Sequence, residues 1–494
     1  MAIIFGTADP VRSSTISRAV AAGKMRRIAS KLYTDDMKSP FEDIVRRHRL
    51  EIAAHFCPEA VISHRSAIEG GISPAGKLHL TSTTATIFRR PLPGLEIRIW
   101  RGPAAQPDDI RTGFTKDEPL FTASQARALL ENMQIARAHG GDEPKTLSQE
   151  ELERWIDKQI RALGGDWLDQ TLTQTADVAK RLGWQQQQEK FAALVAAFKN
   201  QPTAVHLTSN VAQARAIGTP FDPERVTLFG LLHARLAAER FRELPRPPAT
   251  EFENRAFWES YFSNFIEGTR FTVEEAQAIV FNPTVAKDLK LKRPEDAHDI
   301  LETYRLIADP HISEEIPKSP ADLIDLIKRR HARMMASRID AKPGVFKKKN
   351  NQFGSRVFVR WEMVEETLRM GFPPVQTLPS AAARALYMLF LVAEVHPFID
   401  GNGRISRLAM NAEFEAAGQA RLIIPTAYRT DYIGVLEALT SRGDPEAFVA
   451  FGHKLIDING RMPFGKFDES YDFFRKTGGL EDAPITFNFF PVSP

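Results

Sequence analysis

His396-Pro397-Phe398-Ile399-Asp400-Gly401-Asn402-Gly403-Arg404-Ile405-Ser406-Arg407 puts an imidazole, a carboxylate, two glycines and two guanidiniums within twelve residues. Glycines on both sides of Asn402 let the backbone approach an oxyanion and turn several N–H groups inward, and the run reads as entering a helix whose N-terminus attracts phosphate. Arg404 and Arg407 stand three apart on that helix, a spacing that lets both face the nest and bind oxyanions through their planar forks. A single carboxylate, Asp400, beside such a cradle suits Mg²⁺, which prefers one or two carboxylates plus substrate phosphates. His396 has the ordinary acidity of a general base near neutral pH. The run therefore reads as a site that handles phosphate.

It resembles, at every fixed position, the signature His-Pro-Phe-x-(Asp/Glu)-Gly-Asn-Gly-Arg-x-x-Arg of Fic-domain proteins, enzymes that transfer AMP from ATP to a protein hydroxyl. The resemblance implies that His396 deprotonates the hydroxyl of a Tyr, Ser or Thr in a target protein, or in the chain itself, and that Asp400 binds Mg²⁺. It further implies that Gly401, Asn402 and Gly403 hold the α- and β-phosphates, that Arg404 stabilises the transferring charge and that Arg407 grips the γ-phosphate. Phe398 is the expected core anchor of the loop. Tyr432 stands where Fic enzymes place an aromatic wall against adenine, with Asp431 where a neighbouring aromatic is usual. Upstream, Ser263-Asn264-Phe265-Ile266-Glu267-Gly268 matches the inhibitory pattern (Ser/Thr)-x-x-x-Glu-(Gly/Asn) of many Fic proteins. Ser263 and Glu267 share a helix face, and Gly268 suits a left-handed C-terminus. The resemblance implies that Glu267 pairs with Arg407, fills the γ-phosphate position and leaves the protein self-inhibited.

Between these motifs, Gly344 to Val359 reads as a hairpin with turn residues centred on Asn350 and Asn351. In Fic proteins this segment is a flap that pairs with the target backbone, which assigns docking to Gln352, Phe353, Gly354, Ser355, Arg356 and Val357. Lys347 to Lys349 read as a solvated loop, with an acidic target as the alternative. Ser380 is the expected cap of a helix whose apolar run, Leu386 to Val395, delivers His396 at its end. That run is roughly half of a bilayer span, and it reads as core with no membrane association.

The first forty residues carry Arg12, Arg18, Lys24, Arg26, Arg27, Lys31 and Lys38 against Asp9, Asp35 and Asp36. A helix capped at Ser14-Thr15 and stopped by Gly23, followed by a basic hairpin from Lys24 to Thr34, suggests a winged helix. Gly23, Met25, Arg27, Ile28 and Tyr33 resemble the wing pattern of AbiEi-type antitoxin regulators, with Lys31 and Leu32 where a glycine is usual. Val61 to Ala67 and Thr81 to Thr83 resemble the β-rich module that follows that wing. The resemblance implies salt-sensitive DNA contacts by Arg18, Arg26, Arg27 and Lys31; the alternative is a basic adapter surface.

A chain of 494 residues, 43% hydrophobic with formal charge +3, is expected to hold about two to four domains. Its one cysteine, Cys57, and the lack of a charged-apolar-small leader suit a reducing cytoplasm. From Phe121 to Ala249 the chain reads as helical, with a capping box at Ser148 and Glu151, one face of Leu152, Trp155, Ile156, Ile160 and Leu163, and a stop at Gly164-Gly165. Leu244 to Pro248 is a stiff connector, either the edge of the catalytic region or a rigid loop within it. The expected organisation is mainly α: a small α+β winged-helix-like module over 1–40, an α+β module over 41–115 and a helical connector over 120–249. A helical Fic domain with a β-hairpin flap and inhibitory helix follows over 250–470, then a tail over 471–494. The expected activity is ATP- and Mg²⁺-dependent adenylylation, with homo-oligomerisation left open. The alternatives are transfer of another group, such as UMP, phosphate or phosphocholine, AMP removal, and a DNA-binding regulator or toxin-antitoxin-like fusion with a nucleotide-sensing Fic domain. Intact Gly401 and Gly403 argue against phosphate transfer.

Overall fold

The computed structural model describes residues 2–84, 88–112, 118–134, 136, 142–282, 287–354 and 356–481. Ser355 and tail residues 482–494 lie outside them. The chain forms two compact units, Met1–Gly218 and Thr219–Pro494.

The first unit opens with β1 (Ile3–Phe5), α1 (Pro10–Ala21), β2 (Arg26–Ala29) and β3 (Leu32–Thr34). These strands form an antiparallel sheet in the order β1-β3-β2, so the expected hairpin gains a third strand, with Ile3 opposite Thr34. Helix α1 begins earlier than Ser14: Asp9 is its cap and accepts from Val11 N, and Pro10 at the first position pre-sets the helical φ. Gly23 ends the turn after it at φ +67°. Next come α2 (Phe41–Arg47), α3 (Arg49–Phe56), β4 (Val61–Ile62), α4 (His64–Ile68), β5 (Lys77–Ser82), β6 (Phe88–Leu92), β7 (Leu95–Arg101), β8 (Ile110–Arg111) and β9 (Phe121–Thr122). Strands β4 to β9 form one mixed sheet in the order β6-β7-β5-β4-β9-β8, with β5 parallel to β7 and β4 parallel to β9. Ile3 and Leu32 share one core with Ile44, Ile52, Leu78 and Ile97, so the described residues of the two expected N-terminal modules pack as one body.

The unit closes with α5 (Gln125–Asn132), α6 (Gln149–Leu163), α7 (Trp167–Leu182), α8 (Gln185–Phe198) and α9 (Asn210–Ala216). The Ser148–Glu151 capping box is formed, and Gly164 takes φ +95°. Leu152, Ile156 and Ile160 are buried with Trp167 and Phe191, whereas Leu163, at the end of α6, is exposed.

The second unit contains α10 (Pro223–Ala237), α11 (Ala249–Ile266), α12 (Val273–Phe281), α13 (Lys287–Lys292), α14 (Pro294–Ala308), α15 (Pro310–Ser313) and α16 (Pro320–Met334). The flap strands β10 (Gln352–Phe353) and β11 (Arg356–Val357) follow, then α17 (Val364–Gly371), α18 (Ala381–Val395), α19 (Asn402–Ala416), α20 (Arg429–Arg442), α21 (Glu446–Asn459) and α22 (Phe467–Thr477). The boundary expected at residue 250 falls instead at Gly218, because Phe229, Leu232 and Leu236 of α10 belong to the second unit's core. The Leu244–Pro248 stretch is a rigid loop within that unit: Arg246 N donates to Gly418 O at 3.0 Å and Ala420 N to Leu244 O at 2.9 Å. The segment after residue 470 is docked as far as α22, where Phe474 is buried and packs on Trp258 and Phe262. Ser380 caps α18, accepting from Ala383 N, and every residue of that helix except Arg384 is buried, as its all-round apolar sequence requires. Among the described residues no helix is long and apolar enough to cross a membrane.

Candidate functional site

Helix α18 stops at His396, which adopts the left-handed conformation at φ 52°. The imidazole lies flat on Phe358, ring centroids 3.7 Å apart, with Nδ1 facing the Ala393 carbonyl at 3.4 Å. Burial, then the charges of Lys347 and Arg356, lower its pKa to about 3. The ring is thus a neutral base across the physiological range.

The loop from Pro397 to Gly401 is held from several sides. Phe398 is fully buried, stacks on His331 with centroids 3.7 Å apart and meets Phe346 edge-on. Asn402 closes the loop on itself: Phe398 N donates to its Oδ1 at 2.8 Å and its Nδ2 donates to Phe398 O at 3.0 Å. His331 Nδ1 accepts from Gly344 N at 2.9 Å, which puts its proton on Nε2, 3.0 Å from Asp400 O. Burial lowers the His331 pKa to about 4. Replacing Phe398 with alanine is expected to cost about 3–5 kcal/mol of stability, read as a lower urea midpoint.

Both histidines are neutral when folded and take up a proton on unfolding below their ordinary value of 6.5. The unfolded chain therefore binds more protons across that window, and stability is lost as pH falls from 6.5 towards 4. The urea midpoint is expected to drop already between pH 6.5 and 5, above the carboxylate range.

Gly401 takes φ +76°, and its N–H donates to Asp400 Oδ1 at 2.7 Å as α19 begins at Asn402. The first amides of a helix have no intrahelical acceptor, so the 401–403 turn offers donors of the kind an anion cradle needs. Asp400 is half-exposed, with Oδ2 4.0 Å from Arg404 Nη2. No group of three or more His, Cys, Asp or Glu side chains suited to a metal occurs among the described residues. One accessible carboxylate oxygen beside an anion cradle fits a cation whose remaining ligands are phosphate and water.

Glu267 caps the C-terminus of α11, with Gly268 at φ +100° after it. Its Oε1 accepts from Arg407 Nη2 at 2.7 Å, while Arg407 also donates to Ser263 Oγ at 3.0 Å and Ser263 O at 2.9 Å. The carboxylate rests against the Cα of Gly403: a Cβ there would overlap Oε1 and come within 2.9 Å of Cδ. Ser263, Glu267, Gly403 and Arg407 are therefore brought together. Arg404 Nη1 donates to Asp299 Oδ2 at 2.7 Å and to Asn264 Oδ1 at 3.2 Å. Tyr432 is buried beside Phe451, its ring centroid 5.9 Å from the Arg407 guanidinium.

The flap hairpin pairs Gln352 with Val357 and Phe353 with Arg356, turning at Gly354 (φ +58°). Asn350 and Asn351 are not its turn. Asn350 Oδ1 accepts from Trp361 N at 3.1 Å, and Asn351 Nδ2 donates to Phe398 O at 3.0 Å. Lys347, expected in solvent, is buried. Its backbone N–H donates to Pro397 O at 2.9 Å and its Nζ to Asn351 Oδ1 at 2.6 Å, and burial lowers its pKa to about 7. Lys348 and Lys349 are exposed. In the first unit Arg18, Arg27 and Lys31 are exposed, but Arg26 is tied to its own module, donating to Asp36 O at 2.8 Å and Ser39 O at 2.6 Å over the Phe41 ring.

Asp299 and His331 belong to no motif in the sequence, while Asn264, a variable position of the inhibitory pattern, and Asn351, expected in a turn, have site contacts that the sequence does not announce. Ser-x-x-x-Glu spacing was the one signal pointing towards the Asn264 neighbourhood.

Residues 322–413 match the Fic/DOC family model. The protein adenylyltransferase Fic of Drosophila persimilis is 45% identical over 67 residues, 14% of this chain and 13% of that protein. Its namesake in Drosophila ananassae is 29% identical over 219 residues, 40% of each chain. The match thus spans at most about two fifths of the curated relatives' length. Among solved structures, Fic-1 (residues 134–508) of C. elegans aligns with a TM-score of 0.36 and 19% identity, covering 63% of this chain and 91% of that one. A Fic domain-containing signalling protein of Bacteroides thetaiotaomicron aligns with a TM-score of 0.35 and 16% identity, covering 48% and 94%.

Proposed function

We propose that the Fic-like region of this chain transfers AMP from ATP to a hydroxyl side chain of a protein, and that Glu267 restrains it. The observation that carries this reading is the Glu267 carboxylate paired with Arg407 and seated against Gly403 in the first turn of α19, an anion beside the helix N-terminus. The Arg407 guanidinium that holds it suits a phosphate of a nucleotide equally well.

In the forward reaction His396 takes the proton of the acceptor hydroxyl as the hydroxyl oxygen bonds to the α-phosphorus in line. The bond from that phosphorus to the β-phosphate bridging oxygen breaks, and pyrophosphate leaves. The Ala393 carbonyl faces Nδ1, which leaves Nε2 as the accepting nitrogen. Asp400 is the residue suited to Mg²⁺, whose contribution when bound is to neutralise charge on the phosphates. The Gly401–Gly403 turn orients the α- and β-phosphates, Arg407 takes the γ-phosphate once Glu267 has withdrawn, and Tyr432 lines the same region from α20. Arg404, held by Asp299, supplies positive charge beside Asp400. The flap residues Gln352 to Val357 align the target backbone by strand addition.

The test is incubation of the wild-type chain and Glu267→Gly with Mg²⁺ and α-labelled ATP, followed by intact mass. A covalent AMP on the variant supports the reading. ATP binding without label in either chain overturns it in favour of another donor or of AMP removal, for which Glu267 is a suitably placed carboxylate.

A second reading concerns the first unit. Exposed Arg18 on α1, Arg27 on β2 and Lys31 in the β2–β3 turn support contact with DNA phosphates. Arg18→Ala with Arg27→Ala is expected to weaken a gel shift on the gene's own upstream DNA. Absent or salt-insensitive binding by the wild type removes that reading.

A further inference from the structure

Outside the anion cradle, the second unit buries a carboxylate, Glu394, whose two arginine partners both reach the flap. Glu394 is fully buried on α18, two residues before His396. Its Oε1 lies 2.8 Å from Nε of Arg225, on α10. Its Oε2 accepts from Thr440 Oγ1, on α20, at 2.7 Å and from Nη2 of Arg356, on β11. Arg225 also donates through Nη2 to the Val357 carbonyl at 2.8 Å. Both residues of β11 are therefore gripped, one by its side chain and the other by its backbone.

A two-stranded hairpin of this size has little stability of its own, so its place must be set from outside. Phe358, the residue after β11, is the ring that lies flat on His396, so a shift of the strand moves the surface against which the base is packed. The charge pattern is one-sided as well. Two guanidiniums converge on one carboxylate, and neutralising that carboxylate leaves them to repel each other at the flap's root.

We propose that Glu394, acting through Arg225 and Arg356, is a positioning residue that fixes the flap strand over His396 and so sets where an acceptor hydroxyl meets the base. This rests on the AMP-transfer reading of the site. Glu394 touches neither the Gly401–Gly403 cradle nor Arg407, so its removal acts on the acceptor side and leaves nucleotide binding alone.

The experiment uses the whole chain carrying Glu267→Gly, alone and with Glu394→Gln, Arg356→Lys or Thr440→Val. Three quantities are read: amide hydrogen exchange at residues 356–358, affinity for a fluorescent ATP analogue, and AMP label transferred from α-labelled ATP. Glu394→Gln is expected to speed flap exchange and to reduce label at least tenfold each, with analogue affinity within twofold. Arg356→Lys, which keeps the charge, is expected to speed flap exchange less than Glu394→Gln does. Unchanged flap exchange, or nucleotide affinity falling in step with label, overturns the proposal. Should Glu394→Gln not fold, Thr440→Val reads the same quantities with a smaller expected change in the same direction, and no change in flap exchange overturns the proposal. If Glu267→Gly itself takes no label, the AMP-transfer reading fails, while the exchange measurement still decides whether Glu394 holds the flap.

Discussion

Replacing Glu267 with glycine is expected to raise AMP transfer by about two to three decades over the wild type, the scale on which a switch that favours its closed arrangement by a few kcal/mol acts. Glu267 Oε1 holds Arg407 at 2.7 Å and covers the Cα of Gly403, so removing the side chain frees both groups at once. Stability should change little. Residue 267 lies past the last turn of α11, where glycine is accommodated, and that helix is anchored by Phe257, Trp258 and Phe262, all buried. The measurement is label incorporated per minute from α-labelled ATP at matched protein concentration, with a thermal melt as control. An equal rate in both chains would mean that the carboxylate is no brake.

Adding His396→Ala to that variant is expected to lower transfer by about two to four decades, the range supplied by a positioned general base. Nucleotide binding should persist, because the cradle, Arg407 and Asp400 are untouched. Acidity provides a separate check. With the His396 pKa lowered to about 3 by burial and the nearby cations Lys347 and Arg356, the base remains deprotonated from pH 8 down to 5. The Glu267→Gly rate should therefore show no loss centred near the ordinary histidine value. A descending limb near pH 6.5 would mean that another group accepts the proton.

Much of the site was legible because its chemistry is compressed: base, carboxylate, cradle and Arg407 lie in one loop and one helical turn, and helical spacing alone places Ser263 and Glu267 on a common face. What escaped is what packing assembles. Asp299 reaches Arg404 across 105 residues, and no local pattern in α14 marks it. Lys347 reads as solvated within a run of three lysines, yet it is buried, its N–H held by Pro397 O and its Nζ by Asn351 Oδ1. The flap's turn was misplaced because Asn350 and Asn351 carry turn-forming side chains that here serve as long-range hydrogen-bond partners, leaving the reversal to Gly354. In the first unit, Ile3-Ile4-Phe5 is too short to announce a strand, and only its pairing with β3 makes it one. The helices α6 and α18 were the most readable elements, each having a cap at one end and a continuous apolar face.

Ile3 and Leu32 have a consequence for how such a chain is inherited. Because their side chains are sealed into the same interior as Ile44, Leu78 and Ile97, the first forty residues are no detachable cassette. A recombination breakpoint placed after them would leave an open hydrophobic wound on the six-stranded sheet. The two compact units divide at Gly218, so a chain cut there is expected to keep this interior closed, whereas one cut after residue 40 is expected to open it.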